Sequence, residues 1–295
     1  MDSHITDEFA LLPENAAELG LELPTLPPAQ RVRTDHDDGH VSGIKWGDEP
    51  PRAVFLHGGA QNAHTWDSVI LALGVPALAV DLPGHGHSSW RDDGDYSPWP
   101  NADAVAVAIR QWAPDAEVVV GMSLGGLTTI RLAAVAPELV RRTVLVDVTP
   151  ASIQRHQAMT QEQRGTVALA AGPAAFDTFD EIVALTAAAA PHRSASSIRR
   201  GVIHNTRQRD DGRWEWRYDR MRVLRDFALL WDDLARIDVP VALVRGGASV
   251  FVADEDVEEA RRRVSGLDVH VVPGSGHSVQ SDAPLELTEI LRVHL

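Results

Sequence analysis

The chain contains no cysteine among its 295 residues. Disulfide bonds, a thiolate nucleophile and zinc sites with cysteine ligands are therefore excluded. The sequence also lacks an apolar run long enough to span a bilayer, and its N-terminus lacks the basic stretch and apolar run of a secretory signal. We therefore expect a cytoplasmic protein without stable membrane insertion.

Positive charge is scarce, with 27 Lys and Arg against 42 Asp and Glu and a net charge of −15. A surface of this sign argues against nucleic acid and anionic membranes as partners, because both present phosphates. The hydrophobic fraction of 44% is enough for one large core, with or without an inserted subdomain. We expect a soluble globular protein and favour a monomer.

The rest of the chain is organised around the stretch from Val118 to Leu127. Its first residues, Val118 to Val120, are β-branched and apolar, as a strand covered on both faces requires. Gly121-Met122-Ser123-Leu124-Gly125 then fits G-x-S-x-G, which places a serine at the apex of a strained turn between a strand and a helix. A helical pattern follows and stops at Pro137.

Short apolar runs alternate with helical patterns on both sides of an alanine-rich, helical stretch. This alternation predicts a mostly parallel sheet with helices on both faces. We expect an N-terminal arm over 1–29, a core formed by 30–149 and 235–295, and a mainly helical cap over 150–234 that covers the carboxyl ends of the strands. The prolines and acidic residues of the arm predict few buried contacts.

Four motifs follow one another along the chain: His57-Gly58-Gly59, Asp81-Leu82-Pro83-Gly84-His85-Gly86-His87-Ser88, the Ser123 turn, and Gly274-Ser275-Gly276-His277. In these motifs and their order the sequence resembles the α/β-hydrolases over roughly residues 30–295. It is most similar to capped esterases and carbon–carbon-bond hydrolases, including mycobacterial-type serine esterases. The resemblance implies an α/β-hydrolase fold, with Ser123 as nucleophile and His277 as its base.

This assignment fits the chemistry of the residues. A serine hydroxyl is a poor nucleophile until a base takes its proton, and His277 lies in a loop that can reach over the strand ends. The developing oxyanion needs two backbone N–H donors. We assign these to Leu124, directly after the serine, and to Gly59, in the loop after His57-Gly58. We expect His57 to shape that loop rather than to take part in catalysis.

The acid that orients His277 has two candidates. Many α/β-hydrolases carry it just after the strand that follows the cap, but Ala248 and Val250 stand there in this sequence. Asp147 ends the strand after the elbow helix, a position that the acid occupies in some members of the family. Asp254 comes later and opens a helix, where an N-cap role is sufficient. We favour Asp147 and keep Asp254 as the alternative.

His85 and His87 could supply metal ligands, but the family's usual loop explains them better, with Asp81 holding it through backbone hydrogen bonds. We assign no metal and no cofactor. Trp214 and Trp216 either fill the cap's own core or line an acyl pocket. The leading interpretation is a serine hydrolase that cleaves small carboxylic esters of short to medium acyl chains through an acyl-enzyme. The alternatives are a hydrolase of β-diketone-type carbon–carbon bonds and an inactive small-molecule-binding protein of the same fold.

Overall fold

The computed structural model describes residues 7–223 and 225–295. The strands are β1 (Ala29–His36), β2 (Gly39–Trp46), β3 (Ala53–Leu56), β4 (Ala77–Asp81), β5 (Val118–Met122), β6 (Thr143–Val146), β7 (Ala175–Phe176), β8 (Thr206–Gln208), β9 (Trp214–Trp216), β10 (Val241–Gly246) and β11 (Asp268–Val272).

The helices are α1 (Leu12–Glu18), α2 (Asp67–Leu73), α3 (Pro98–Trp112), α4 (Leu124–Val135), α5 (Ser152–Ala158), α6 (Gln161–Arg164), α7 (Phe179–Ala189), α8 (Ala195–Asn205), α9 (Leu230–Leu234), α10 (Asp254–Arg263), α11 (Val279–Asp282) and α12 (Pro284–Arg292). Short 3₁₀ turns cover Ala63–Trp66, Pro137–Leu139, Gly165–Ala171 and Phe227–Leu229. Within the described part of the chain, none of the helices combines the length and the hydropathy of a membrane-spanning segment.

One large sheet forms the centre of the fold, with its strands in the order β1-β2-β4-β3-β5-β6-β10-β11. The pairs β1–β2 and β2–β4 are antiparallel, and every later neighbouring pair is parallel. The predicted mostly parallel sheet is therefore confirmed. Because parallel strands end at the same edge, the residues that follow β5, β6, β10 and β11 meet there.

The sheet is covered on both faces, as the apolar strand residues predict. Val118 and Val120 of β5 belong to one apolar cluster, which includes Trp66 and residues of α2 and α12. Val119 points the other way and belongs to a cluster with Ile109 of α3 and residues of α4. Full burial of each such side chain contributes roughly 1.5–3 kcal/mol to folding, so the two layers of helices hold the strand ends in place.

The inserted segment, residues 150–234, is mainly helical but also contains a small antiparallel sheet in the order β7-β9-β8. Sequence analysis did not predict this sheet, because strands of two or three residues are too short to show a period-two pattern. Trp216 of β9 packs edge-on against Phe176 at 5.8 Å, and Trp214 packs against Phe179 at 5.2 Å. Both tryptophans therefore contribute to the core of this segment.

The expectation that the N-terminal arm makes few buried contacts is wrong for its described residues. Leu12 and Ala16 of α1 are 4% and 5% exposed and belong to the core beside α2. Arg200 of α8 forms ion pairs with Glu14 and Glu18 of the arm. The acidic residues that suggested a solvated segment thus pair with a cation of the inserted segment, and α1 joins that segment to the core.

Candidate active site

Ser123 occupies a sharp turn between β5 and α4. Its backbone has φ +51° and ψ −117°, a conformation that residues other than glycine rarely adopt. Glycines make the turn possible. A Cβ on Gly125 would lie 2.3 Å from the carbonyl oxygen of Leu56, and one on Gly121 would lie 2.4 Å from the carbonyl oxygen of Gly125. The structure therefore has the strand, turn and helix that the G-x-S-x-G motif requires.

His277 and Asp147 meet at the carboxyl edge of the sheet. Asp147 directly follows β6 and is completely buried, and His277 lies in the loop after β11. Nδ1 of His277 is 2.8 Å from Oδ2 of Asp147. Because the carboxylate accepts this hydrogen bond, Nδ1 carries the proton. Nε2 of His277 has no hydrogen-bond partner among the described residues, so it remains free to accept a proton.

The Asp147 carboxylate is held from β10 as well. The N–H of Gly246 donates to Oδ1 at 3.0 Å, and the hydroxyl of Ser249 donates to Oδ2. On the neighbouring strand, the N–H of Ser123 donates to the carbonyl oxygen of Val146, immediately before Asp147, at 3.2 Å. Ser123 and Asp147 are thus fixed at the ends of adjacent strands, and donors from β10, from the loop after it and from the His277 loop set the position of the acid.

Asp254, the other candidate acid, lies on the surface and does not contact His277. Its side chain is 92% exposed and pairs with Arg245 at 2.7 Å. It is the first residue of α10, whose N-cap is Ala253, so the suggested N-cap role is also wrong by one position. Of the two carboxylates that the sequence left open, the structure brings only Asp147 into contact with His277.

Two residues that sequence analysis missed support His277. The ring of Phe251 stacks on the His277 imidazole at 3.5 Å with an interplanar angle of 11°, and Ser249 bonds Asp147. On α5, the ring of His156 lies 6.0 Å from that of Phe251, with an interplanar angle of 25°. For Ser249 the sequence did contain a signal. Its hydroxyl lies between Ala248 and Val250, the two positions at which we expected a carboxylate and found none.

The loop after β3 lies beside Ser123. A Cβ on Gly58 would be 3.2 Å from the Cβ of Ser123. His57 Nδ1 is 2.7 Å from the Gly58 carbonyl oxygen, and its Nε2 accepts from the Leu82 N–H at 2.9 Å. Burial lowers the pKa of His57 to about 3, so this ring is neutral and shapes the loop.

The two N–H groups assigned to the oxyanion hole remain available in the structure. The next amide along the loop, that of Ala60, already donates to Nε2 of His85 at 3.1 Å. The N–H groups of Gly59 and Leu124 donate to no acceptor in the part of the chain that the structure describes. Leu124 also opens α4, where the helix dipole favours negative charge.

The loop with His85 and His87 is held by Asp81, as the sequence suggested. Asp81 accepts from the N–H groups of Ala63 at 2.7 Å and His87 at 3.0 Å. Nδ1 of His85 is 2.9 Å from the Pro83 carbonyl oxygen, and burial lowers the pKa of His85. His85 is therefore a neutral ring that ties this loop to the Ala60 amide.

Within residues 7–223 and 225–295, two groups of side chains bring enough nitrogen and oxygen atoms together to be considered as metal ligands. The first is His64, Asp67 and His204. The two histidine rings are stacked nearly parallel at 3.7 Å, so one ion cannot lie in the plane of both. Moreover, both nitrogens of His64 face carboxylates, Asp67 at 2.8 Å and Glu8 at 3.0 Å. The geometry fits a hydrogen-bonded imidazolium rather than a metal ligand.

The second group is Asp268, His270 and His294. His270 Nε2 is already 2.9 Å from the Asp268 carboxylate. Asp268 and His270 lie at the start of β11, whereas His277 follows its end. This group therefore lies toward the amino edge of the sheet and does not contribute to the site around Ser123.

A cavity of about 170 Å³ lies between the core and the inserted segment. It is bordered by Gly59 and Ala60 of the loop beside Ser123, by α8 at His204, and by Trp216 at the end of β9. Ser123 and His277 are not among its lining residues, so it begins beside the catalytic groups rather than around them. We call it the side cavity.

Comparison with known proteins agrees with this geometry. The chain is 58% identical to esterase Rv0045c of Mycobacterium tuberculosis over 287 residues, which cover 97% of this chain and 95% of the relative. It is 31% identical to 2-(acetamidomethylene)succinate hydrolase of Mesorhizobium japonicum over 247 residues, or 79% of this chain and 84% of that one.

Solved structures show the same likeness. A structure of the M. tuberculosis esterase matches with a TM-score of 0.88 at 57% identity, covering 97% of this chain and 98% of the other. The crystal structure of E-2-(acetamidomethylene)succinate hydrolase matches with a TM-score of 0.76 at 25% identity, covering 90% and 99%. A sequence profile described as the alpha/beta hydrolase family matches residues 53–290. With its sheet order and its serine turn, the chain belongs to the alpha/beta hydrolase family.

Proposed function

We propose that this enzyme is a serine hydrolase of carboxylic esters in which Ser123, His277 and Asp147 form the catalytic triad. The observation that carries the proposal is the 2.8 Å contact between His277 Nδ1 and Asp147 Oδ2 at the strand edge where Ser123 lies. The 58% identity to an esterase over nearly the whole chain supports ester hydrolysis as the reaction.

Each residue has a defined part in this reaction. Ser123 attacks the acyl carbon while Nε2 of His277 takes its proton, and Asp147 holds the opposite nitrogen and stabilises the imidazolium. The N–H groups of Gly59 and Leu124 stabilise the oxyanion. His277 then protonates the departing alcohol and an acyl-enzyme remains on Ser123. Attack by water, activated by the same histidine, releases the acid.

Small esters of short to medium acyl chains are the substrates in this proposal. The side cavity of about 170 Å³ borders the loop that carries Gly59, and its volume suits a small group rather than a long chain. The proposal also retains a monomeric state, a cytoplasmic location and the absence of nucleic-acid partners. The net charge of −15 supports the last of these, because it repels phosphates.

Neither alternative function is favoured by an observation. The inactive-scaffold hypothesis depended on the absence of a carboxylate at positions 248 and 250, and Asp147 supplies one from another strand. Cleavage of carbon–carbon bonds would use the same residues, and no feature of the structure favours it over ester hydrolysis.

Replacing Ser123 with alanine tests the proposal. We expect Ser123→Ala to lower kcat/KM for p-nitrophenyl butyrate by at least about 10³-fold, since the triad acts as a unit. A fluorophosphonate probe should label the wild-type protein and not the variant. Ser265→Ala, a change at an exposed serine, is the matched control and should keep wild-type activity. Turnover by Ser123→Ala near the wild-type level, with its circular dichroism spectrum unchanged, would contradict the assignment.

A further inference from the structure

The side cavity contains an unusual set of polar groups. Five of its lining residues each have a buried polar side-chain atom without a hydrogen-bond partner among the described residues: Asn15 Oδ1, Asp67 Oδ1, Trp216 Nε1, Tyr218 OH and Gln280 Oε1. Folded proteins pair nearly all buried polar atoms, and each exception calls for an explanation. Of the fourteen such atoms among the described residues, these five belong to residues that line one cavity, and they come from α1, α2, α11, β9 and the segment just after β9. We therefore look for their partners in the cavity.

The kinds of atom indicate what would satisfy them. Trp216 Nε1 is a hydrogen-bond donor, the hydroxyl of Tyr218 can donate or accept, and the oxygens of Asn15, Asp67 and Gln280 are acceptors. An alkyl group would leave all five unpaired. A carboxylate would satisfy the donors but would face three acceptors, one of them on the buried Asp67. A neutral group that both donates and accepts, such as a hydroxyl, fits the whole set.

The charged residues that line the cavity are already paired, so they do not call for an anionic ligand. Arg200 pairs with Glu14 at 2.6 Å, and Arg193 pairs with Asp282 at 2.8 Å. His64 faces Asp67 at 2.8 Å. The charges of these lining residues are therefore balanced among themselves, and the five unpaired polar atoms are what remains for a ligand.

The cavity is also in the right place for substrate. Gly59 and Ala60 line it, and the Gly59 N–H is the proposed oxyanion donor, so a scissile carbonyl at the oxyanion hole lies at one end of the cavity. We propose that the side cavity binds a hydroxyl-bearing part of the ester, so that the preferred substrates are hydroxylated small esters such as glycerol monoesters or hydroxyacyl esters. This inference rests on the proposed esterase function.

Matched substrate pairs test the preference. Glycerol 1-butyrate and propyl butyrate differ in the hydroxyls of the alcohol, and p-nitrophenyl 3-hydroxybutyrate and p-nitrophenyl butyrate differ in the acyl part. We expect the hydroxylated ester of at least one pair to have a kcat/KM about tenfold higher, as expected for one or two added hydrogen bonds. Equal kcat/KM within both pairs would overturn the inference while leaving the esterase function intact.

Variants that each remove one polar group from the cavity locate the effect. The preference ratio is kcat/KM for the hydroxylated ester divided by kcat/KM for its unhydroxylated partner. In Tyr218→Phe and Trp216→Phe this ratio should fall about threefold or more, because each change removes one polar group from the cavity. Tyr96→Phe is the matched control. It removes a hydroxyl that bonds Asp219 outside the cavity lining, so the ratio should stay at the wild-type value. An unchanged ratio in both cavity variants would contradict the inference, as would an equal fall in Tyr96→Phe.

A binding measurement keeps the inference testable if the chain hydrolyses no ester. Ligand-observed NMR with 1-O-butylglycerol, an ether that cannot be hydrolysed, should show binding to the wild-type protein and at least threefold weaker binding to Tyr218→Phe. Absence of fluorophosphonate labelling together with such binding would reject the esterase function and retain the cavity's ligand preference. Absence of binding to the wild-type protein would reject the preference itself.

Discussion

At the scale of single residues, the site depends on backbone conformations that cost free energy. Ser123 has φ +51° and Asp147 has φ +50°, and each directly follows one of two neighbouring strands, β5 and β6. A residue other than glycine held at such a positive φ destabilises the folded state by roughly 1–3 kcal/mol. They persist because the flanking strands are fixed by their ladders and buried on both faces. The strained angles direct the hydroxyl and the carboxylate toward the same edge of the sheet.

Asp147→Asn should reduce kcat by about 10⁴-fold with a smaller change in KM, because an amide neither holds the neutral imidazole in the required tautomer nor stabilises the imidazolium that forms. Asp254→Asn is the matched control, since it makes the same chemical change in an exposed ion pair with Arg245, which contributes little to stability. Steady-state kinetics on p-nitrophenyl butyrate measures both. The assignment is reversed if Asp254→Asn is the inactive variant while Asp147→Asn remains active and folded.

At the scale of secondary-structure elements, α1 attaches the inserted segment to the core. Leu12 of α1 lies in the core beside α2, and Glu14 and Glu18 pair with Arg200 of α8. This short helix therefore buries apolar area against the core and pairs with a cation of the inserted segment at the same time. Removing this helix leaves Arg200 without its carboxylate partners and exposes the apolar surface that Leu12 covers.

Leu12→Ala should lower the free energy of unfolding by about 2–5 kcal/mol, because it opens a cavity at a position that is 4% exposed. For a chain of this size the corresponding fall in Tm is at least about 4 °C. Leu23→Ala, in the same arm but 36% exposed, is the matched control and should change Tm by less than about 2 °C. Thermal denaturation measures both, and equal Tm values for the two variants would show that α1 is not part of the core.

The elements that sequence analysis predicted are those with a strong local pattern. The β-branched run at Val118 to Val120, the glycine-flanked Ser123 and the His277 loop were all recognised from neighbouring residues. The contacts that it missed depend on distant parts of the chain. Ser249 reaches Asp147 across 102 positions, and Arg200 reaches Glu14 across 186. No local periodicity encodes such contacts, and so α1 was taken for a loose arm.

At the scale of the whole molecule, buried charges make stability depend on pH. Burial alone would lower the pKa of His64, but the charge of Asp67 and hydrogen bonds to Asp67 and Glu8 outweigh it and raise this pKa to about 9. A raised folded-state pKa stabilises the protein fully below the unfolded value of about 6.5. That contribution is lost as pH rises through about 9.

The wild-type free energy of unfolding should therefore fall by on the order of 1–3 kcal/mol between pH about 6.5 and about 9.5. His64→Gln should be less stable at pH 7 and should show a smaller fall over the same range. His36→Gln, at the end of β1, is the matched control and should follow the wild-type curve. Urea denaturation at a series of pH values measures the effect, and parallel curves for wild type and His64→Gln would rule out a buried imidazolium at this position.

The stack of His156, Phe251 and His277 has a consequence for protein engineering. Because His156 belongs to α5 and Phe251 follows β10, the imidazole of His277 is braced from the inserted segment as well as from the sheet. A library that varies α5 would therefore alter the support of the base whenever it changes position 156. Holding position 156 constant keeps this support, so the other positions of α5 can be varied without a simultaneous loss of turnover.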